Sequence, residues 1–220
     1  MFISPVRCTG SKRRVAKELS KLFPESYDIV YEPFIGGGNL LPYYKQDAKV
    51  YASDINEHYI HWWNYFKDDN ETESLLMFYE NCTKSNQLKE HYYELRKLYN
   101  MTKSSIILFA LSYMSMNNLI RFNKAGEFNA AFDLTMHFAK IDKVKEYINN
   151  FKPYMENVSF KNCSYMDIKD DILLASQHSE VFCFFDPPYE GKKYKNIYQQ
   201  NVYSKQEFES FLFDINKINI

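Results

Sequence analysis

Apolar and polar positions in the first third of the chain alternate between helical and extended spacing. Apolar side chains recur at helical intervals over residues 11–23 and predict a helix that Ser11 caps. Short apolar runs predict strands over residues 28–31 and 49–52, and an aromatic-rich helix begins at about residue 58. A glycine turn follows the first strand and an acid ends the second. This order is typical of an α/β nucleotide-binding unit.

The middle of the chain keeps helical spacing without a strand signal. Residues 72–116 predict one helix after another, followed by a polar turn. We therefore predict a helical lobe, residues 66–135, inserted into an α/β domain. That domain is discontinuous and consists of residues 1–65 and 136–220.

The last third of the chain returns to alternating helices and strands. A helix is predicted over residues 142–151, then strands over 158–161 and 181–185. The uniformly apolar second run predicts a strand buried on both faces. Ser204 and Glu207 form a capping-box pattern before a final helix. Four strands are few for a doubly wound sheet, so we expect a sheet that is incomplete at its C-terminal end.

Composition narrows the class of protein. The 220 residues are 45% apolar and 25% charged, as in globular proteins, and no apolar run reaches the roughly 20 residues of a membrane span. Four scattered cysteines indicate a reducing cytoplasm and argue against a structural zinc site. The net charge of −1 says little about nucleic acid. One basic cluster, which by itself indicates a solvated helix face, comprises Arg7, Lys12, Arg13, Arg14, Lys17 and Lys21.

The glycine turn and the acid after the second strand suggest a nucleoside site. The glycines at positions 36–38 allow close approach of a ligand to the backbone. Asp54 ends the next strand and is placed to accept hydrogen bonds from ribose hydroxyls. Leu41 and Pro42 stand where the dinucleotide fingerprint needs a third glycine. The pattern therefore favours adenosine recognition without a pyrophosphate site.

Asp186-Pro187-Pro188-Tyr189 is the strongest chemical motif in the sequence. An apolar strand places the acid at its carboxyl end, where α/β sheets bind ligands. Two prolines fix the backbone and remove two donors, which leaves nearby carbonyls as rigid acceptors. Acceptors beside the Tyr189 ring suit a planar group that carries an NH₂. A proline turn in which Asp186 is a cap is the alternative interpretation of the tetrapeptide alone.

The motifs follow the order of a known family. Over nearly all of its length the chain resembles the Dam-like, D12-class DNA adenine-N6 methyltransferases, and in character it is closest to their phage-type members. The stretches that carry the resemblance are Thr9-Gly10-Ser11-Lys12, Glu32-Pro33-Phe34-Ile35-Gly36-Gly37-Gly38, Ser53-Asp54-Ile55-Asn56, Asn117-Asn118-Leu119-Ile120-Arg121-Phe122-Asn123 with Gly126-Glu127-Phe128-Asn129, and Asp186-Pro187-Pro188-Tyr189.

The resemblance implies a Rossmann-like, S-adenosylmethionine-dependent fold with a helical DNA-recognition lobe, and no metal. The implied cofactor, S-adenosyl-L-methionine, would be held by Thr9, Gly10, Lys12, Glu32, Pro33, Phe34, Gly36, Gly37, Gly38, Asp54, Ile55, Ser164, Tyr165 and Asp186. The implied DNA contacts are Lys12, Asn117, Asn118, Leu119, Arg121, Asn123 and Asn129. The implied catalytic residues are Asp186, Pro187, Pro188 and Tyr189.

The implied reaction is site-specific methylation of the amino group of a flipped-out adenine in double-stranded DNA, as in restriction-modification systems. Asp186 and the Pro187 carbonyl would accept the two N–H bonds of the amino group, and Tyr189 would stack on the base. Arg121 is expected to contact guanine, with binding to phosphate or an ordinary surface pair as the alternatives. Leu119 would wedge into the base stack or belong to the core of the lobe.

The chain departs from the family pattern at several places. Cys8 with Gly10-Ser11 replaces a Trp and a Gly-Gly pair, Ser164 stands where many relatives carry an acid, and residues 130–133 replace a Pro-Phe-Gly continuation. Relatives extend beyond Ile220. One alternative is therefore a truncated or split, non-catalytic chain that binds DNA or cofactor only.

Two partners and one rival activity follow from these departures. A complementing C-terminal fragment is one candidate partner and a cognate restriction enzyme is another, whereas a membrane is not expected. The rival activity is methylation of an NH₂ group on RNA or on a glutamine side chain. Glutamine enzymes carry Asn at the position of Asp186, which disfavours that rival.

Overall fold

Four parallel strands form the central sheet of the computed structural model, which describes residues 2–8, 10–188 and 204–216. In the described residues the strand order is β3-β2-β1-β4 and every pairing is parallel. The strands are β1 (Ile29–Glu32), β2 (Lys49–Asp54), β3 (Val158–Asn162) and β4 (Val181–Cys183). All four carboxyl ends therefore meet at one edge, and the predicted α/β class is confirmed.

Strand β1 separates two hydrophobic cores. Val30 is fully buried in the larger core and pairs with Val50 on one side and Phe182 on the other. Tyr31, whose side chain points to the opposite face, belongs to the smaller core with Phe211. Burial on both faces explains why this strand reads as an apolar run.

Strand β4 differs from its prediction. Its regular part ends at Cys183, although the N–H of Phe184 still donates to the carbonyl of Tyr31 at 2.9 Å. Only Val181 is buried, and residues 182–185 are half-buried. The prediction of burial on both faces was therefore wrong for most of this strand, because β4 stands at the end of the strand order in the described residues.

Helices surround the sheet and build the inserted region. They are α1 (Ala16–Leu19), α2 (Glu57–Lys67), α3 (Asp69–Thr83), α4 (Leu88–Thr102), α5 (Ser105–Met114), α6 (Ile141–Phe151), α7 (Lys169–Ala175) and α8 (Lys205–Asn216). Helix α5 is apolar and buried along nearly its whole length, and α2, α3 and α4 pack against it. The prediction of successive helices is confirmed.

Two of these helices begin at side-chain caps, of which the second was predicted. The Asn56 side chain accepts a hydrogen bond from the N–H of His58 and starts α2. The Ser204 hydroxyl lies 3.4 Å from the N–H of Glu207, as the cap predicted for α8 requires. Phe208, Phe211 and Ile215 of α8 then pack into the smaller core.

The first helix is much shorter than predicted. Instead of residues 11–23, only Ala16–Leu19 are α-helical, and Ser20–Leu22 form a 3₁₀ turn. The Ser11 hydroxyl donates to the side-chain oxygen of Asn39 at 3.3 Å, and the structure assigns Val15 as the N-terminal cap. Leu22 is 80% exposed, whereas Leu19 and Phe23 pack partly buried against the larger core, so only part of the predicted apolar face is buried. Contacts to the sheet edge, not helical periodicity, determine the path of this segment.

The predicted polar turn after α5 is a small hairpin with a buried interior. Ser115 pairs with Phe132 and Phe122 pairs with Phe128 in antiparallel bridges. The side chain of Asn100 on α4 bonds both the N–H and the carbonyl of Phe128. The hairpin is thus fixed against the helical region. Within the described residues, no helix has both the length and the apolar character that a bilayer crossing requires.

Candidate active site

Three acids lie at the carboxyl edge of the sheet. Glu32 is the last residue of β1, Asp54 is the last residue of β2, and Asp186 follows β4. Their charges influence one another, since both Asp54 and Asp186 contribute to raising the pKa of Glu32. The parallel strand order therefore brings together three acids that are far apart in the sequence.

Glu32 is the most deeply buried of these acids, at 4% exposure. Its Oε2 atom accepts a hydrogen bond of 2.8 Å from the Tyr44 hydroxyl. Burial raises the pKa of Glu32 to about 8, the charges of Asp186 and Asp54 add to the rise, and the Tyr44 hydrogen bond opposes it. A cation placed at this edge would favour the ionised form.

Asp54 connects the end of β2 to the glycine turn. Its Oδ2 atom accepts from the N–H of Gly36 at 3.0 Å, and Oδ1 accepts from the N–H of Asn56 at 2.9 Å. Loss of solvation raises its pKa to about 6, and the two backbone hydrogen bonds counteract that rise. Each oxygen keeps a second lone pair for a ligand hydroxyl.

The glycine turn is tightly packed against protein atoms. Gly38 has φ +56°, and a Cβ added there would stand 2.6 Å from the ring of Trp63. A Cβ on Gly37 would meet the sulfur of Cys8 at 3.0 Å. The Trp63 indole N–H also donates to the Gly36 carbonyl at 3.0 Å. Two of the three glycines are therefore needed for packing within the protein.

Cys8 is a residue of the site that sequence reasoning missed. Burial, with the nearby charges of Asp54 and Asp186, raises the pKa of the Cys8 thiol to about 12, so the thiol is neutral at physiological pH. Its only sequence signal was its place directly before the Thr9 to Lys12 motif. Thr9 itself lies outside the described residues.

Lys12 reaches from the same N-terminal segment to Asp186. Its ammonium nitrogen lies 2.5 Å from Oδ2 of Asp186, and the two side chains are only 22% and 25% exposed. It also lies 3.4 Å from the Gly10 carbonyl. The structure thus joins the first and the last motif of the chain by an ion pair.

The Asp186 loop is anchored by the aromatic residue that precedes it. The Phe185 ring lies 5.7 Å from Phe208 and 5.6 Å from Phe211 of α8, measured between centroids. Pro187 and Pro188 are half-buried. Tyr189, predicted to stack on the target base, lies outside the described residues.

An aromatic wall borders the acids. The ring centroids of Phe34 and Tyr165 lie 5.5 Å apart, and Phe208 packs on both rings. Ser164 has a local role beside them: its hydroxyl accepts from the N–H of Met166, and its own N–H donates to Asp167, which caps the 3₁₀ turn Tyr165–Ile168. Pro33 is buried, whereas Ile55 is 49% exposed at the end of β2.

Apart from Lys12, the residues predicted to read DNA lie on the hairpin rather than at the sheet edge. Arg121 is exposed, and its guanidinium donates to the side-chain oxygen and to the carbonyl of Asn129 at 2.8 and 3.0 Å. The Asn123 side chain accepts from the N–H groups of Ala125 and Glu127 and so shapes the hairpin tip.

The start of the hairpin is held in an unusual backbone conformation. Asn117 and Asn118 both have positive φ, +58° and +52°, which Asn tolerates better than most residues. The Asn118 side chain donates to the Tyr113 carbonyl, and Leu119 is half-buried. Asn117 is exposed, so among these residues its side chain is open to a partner.

A second set of contacts links the helical region to the N-terminal segment. The Tyr113 hydroxyl on α5 donates to the Pro5 carbonyl at 2.7 Å, and the Arg7 guanidinium lies 4.5 Å from the centre of the Tyr113 ring. The segment that leads to Lys12 is therefore held between the sheet edge and the helical region.

Similarity to known proteins extends over most of the chain. A family model described as D12 class N6 adenine-specific DNA methyltransferase matches residues 9–216. Type II methyltransferase M1.LlaDCHI from Lactococcus lactis subsp. cremoris is 30% identical over 190 residues, which cover 82% of this chain and 63% of that protein. Type II methyltransferase M.MjaIII from Methanocaldococcus jannaschii is 27% identical over 230 residues, which cover 94% and 76% of the two chains.

A DNA adenine methylase from Haemophilus influenzae is 25% identical over 194 residues, which cover 84% of this chain and 63% of that protein. The chain thus spans 63% of the length of the Lactococcus and Haemophilus relatives.

Proposed function

This chain belongs to the D12 class of N6 adenine-specific DNA methyltransferases, and we propose that it transfers a methyl group from S-adenosyl-L-methionine to an adenine amino group in double-stranded DNA. The observation that carries the proposal is the convergence of Glu32, Asp54 and Asp186 at one edge of the parallel sheet, with Asp186 directly before two prolines. Such an edge is where open α/β sheets bind ligands.

The strand-end acids fit a cofactor that carries cationic sulfonium and ammonium groups. Because burial raises the pKa of Glu32 to about 8 and that of Asp54 to about 6, a bound cation would offset the cost of ionising them. Phe34 and Tyr165 offer an apolar wall for the adenosine. The remaining proposed cofactor contacts are Thr9, Gly10, Lys12, Pro33, Gly36, Gly37, Gly38, Ile55, Ser164 and Asp186.

The adenine amino group is a poor nucleophile because its lone pair is delocalised into the ring. We assign the Asp186 carboxylate and the Pro187 carbonyl as acceptors of its two N–H bonds, which leaves the lone pair directed at the methyl group. The cofactor, when bound, supplies that methyl group in electrophilic form. As the N–C bond forms, the bond between the methyl group and sulfur would break with its electron pair kept by sulfur, and Asp186 would offset the positive charge that the nitrogen gains. The proton that the nitrogen then loses passes by way of Asp186 to solvent, which reaches this 25% exposed side chain.

The target adenine is inaccessible inside a duplex, so the reaction requires a flipped base. In the proposal Tyr189 stacks on that base, and Pro188 keeps the loop rigid. Residues 66–135 read the site, and residues 1–65 and 136–220 carry the chemistry. The proposed DNA contacts are Lys12, Asn117, Asn118, Leu119, Arg121, Asn123 and Asn129.

A second candidate function is binding of DNA or cofactor without transfer. It is favoured by the Lys12–Asp186 ion pair, which occupies the carboxylate that the reaction needs. Because two of the relatives are named type II methyltransferases, a cognate restriction enzyme is a candidate partner.

One experiment separates the two candidates. The purified protein is incubated with methyl-labelled S-adenosyl-L-methionine and duplex DNA, and the DNA is digested to nucleosides. The proposal predicts label in N6-methyldeoxyadenosine, and none when an adenine-free duplex of alternating G and C is supplied. Label on cytosine contradicts the proposal, and cofactor or DNA binding without any transfer supports the binding-only candidate.

A further inference from the structure

The carboxyl edge of the sheet concentrates negative charge. Glu32, Asp54 and Asp186 converge there, and the effect is visible in Glu32, whose raised pKa owes part of its rise to the other two charges. Cys8, which lies among the same groups, is a neutral thiol. A compact group of acids of this kind needs a counter-ion if all are to remain ionised.

Lys12 is a cation that meets one of these acids, Asp186. It faces Asp186 from the N-terminal segment, whereas Glu32 and Asp54 approach from β1 and β2. The pair is mostly shielded from water, unlike the exposed Lys143–Glu146 pair within α6, so its attraction is screened much less by solvent.

The lysine ammonium resembles the chemical group that the site is proposed to receive. An ammonium donates N–H bonds to the carboxylate in the same way as the adenine amino group would. Its flexible four-carbon stem lets it leave toward solvent once another donor arrives. At Oδ2 of Asp186, the Lys12 ammonium therefore occupies the position expected for an N–H of the target amino group.

We propose, on the basis of the proposed function, that Lys12 is a positioning residue: its ammonium holds the Asp186 carboxylate in its orientation until the target amino group replaces it. Lys12 then acts through Asp186, and its contacts to cofactor or DNA are secondary. The ion pair is a resting state of the active site, and removal of Lys12 leaves Asp186 without this partner.

The proposal is tested first without relying on activity. Thermal unfolding at pH 7.5 is measured for the wild type, Lys12→Met, Asp186→Asn and the double variant. We expect each single variant to melt about 2–4 °C lower. We expect the double variant to melt higher than Lys12→Met, because it also removes the Asp186 carboxylate that Lys12→Met leaves without its ion-pair partner. Strictly additive losses would overturn the ion-pair role even in a protein that transfers no methyl group.

The second test separates kcat from KM for methyl transfer to duplex DNA. Lys12→Met should lose about tenfold in kcat with little change in KM for either substrate, because a misplaced Asp186 carboxylate acts on the target base only after that base is bound. Lys12→Arg should restore most of kcat. Lys49→Met, at the opposite end of β2, should leave both constants unchanged. A loss confined to KM would overturn the positioning role, whereas absence of transfer by the wild type would refute the proposed function instead.

Discussion

The carboxylate of Asp54 accepts a hydrogen bond from the backbone N–H of Gly36 at 3.0 Å, which joins the end of β2 to the turn after β1. Its other oxygen accepts from the N–H of Asn56, the residue that caps α2. One side chain therefore fixes both the glycine turn and the start of the following helix. The acid expected to bind ribose also organises the backbone around the cofactor site.

Replacing Asp54 should affect stability and cofactor affinity together. Asp54→Ala removes the acceptor of two backbone N–H groups, so we expect a loss of about 1–3 kcal/mol in the free energy of unfolding. We also expect at least about tenfold weaker binding of S-adenosylhomocysteine in calorimetric titration. Asp47→Ala, at an exposed site, is the matched control. Unchanged cofactor affinity in Asp54→Ala would refute the assigned role.

The raised pKa of Glu32 makes folding depend on pH. Its pKa rises from 4.5 to about 8, so the folded state retains a proton that the unfolded state has released. The contribution of Glu32 to the free energy of unfolding is fully present below pH 4.5 and is lost as the pH rises toward 8. In Glu32→Gln this pH dependence should disappear. At pH 8.5, in urea unfolding without cofactor, the free energy of unfolding of this variant should be on the order of 3 kcal/mol higher relative to the wild type than at low pH.

The exposed Glu25 provides the control for this pH effect. Glu25→Gln should follow the wild-type pH dependence throughout. The account of Glu32 fails if Glu32→Gln and the wild type lose stability in parallel between pH 5 and 8.5.

The packing of Gly38 against Trp63 predicts a large effect of one methyl group. Gly38→Ala combines positive φ with a Cβ 2.6 Å from the indole ring, so we expect a loss of about 2–4 kcal/mol in unfolding free energy. Gly126→Ala shares the positive φ, but nothing lies within 4 Å of its added Cβ, so about 1 kcal/mol is expected. Equal losses in the two variants would show that the contact with Trp63 is unimportant.

The pairing of Arg121 with Asn129 predicts a specificity effect. The Arg121 guanidinium donates one hydrogen bond to the Asn129 side chain and one to the Asn129 backbone carbonyl, and other N–H groups of the guanidinium can contact a base. Asn129→Ala removes the first of these bonds. Asn129→Ala should therefore reduce discrimination between preferred and other sites about 10–100-fold, as measured by sequencing of methylated DNA. The double variant with Arg121→Ala should lose no more site discrimination than Arg121→Ala alone.

Glu127→Gln, at the exposed hairpin tip, serves as the control for that experiment. Unaltered site preference in Asn129→Ala would contradict the positioning of Arg121. If Arg121→Ala weakens binding evenly over all sequences, Arg121 is a phosphate contact.

The features that could be predicted from the sequence are those fixed by local spacing. Apolar runs located all four described strands to within a few residues, and the run that includes Val30 is apolar because β1 is buried on both faces. Ser204 signalled the start of α8 because a cap acts over only three residues. The acids at strand ends could be placed at one edge because parallel strands share a direction.

Contacts between distant segments could not be predicted in this way. Ser11 has the sequence of a helix cap, yet its hydroxyl bonds Asn39, and the helix begins later. The glycine turn was interpreted only as space for a ligand, and the packing of Trp63 where a Gly38 Cβ would stand was not expected. Lys12 was assigned to cofactor or DNA from its motif, and only the folded chain brings it to Asp186. Each of these depends on a partner whose position the local sequence does not encode.

The central claim is that Asp186 promotes methyl transfer by accepting the hydrogen atoms of the target amino group. The most direct measurement is the single-turnover rate of methyl transfer for Asp186→Asn, compared with the wild type and with Asp170→Asn on the exposed face of α7. The account predicts that Asp186→Asn lowers this rate about 10²-fold or more, and that Asp170→Asn keeps the wild-type rate. In a separate titration, Asp186→Asn should still bind S-adenosylhomocysteine. A wild-type rate in Asp186→Asn would contradict it.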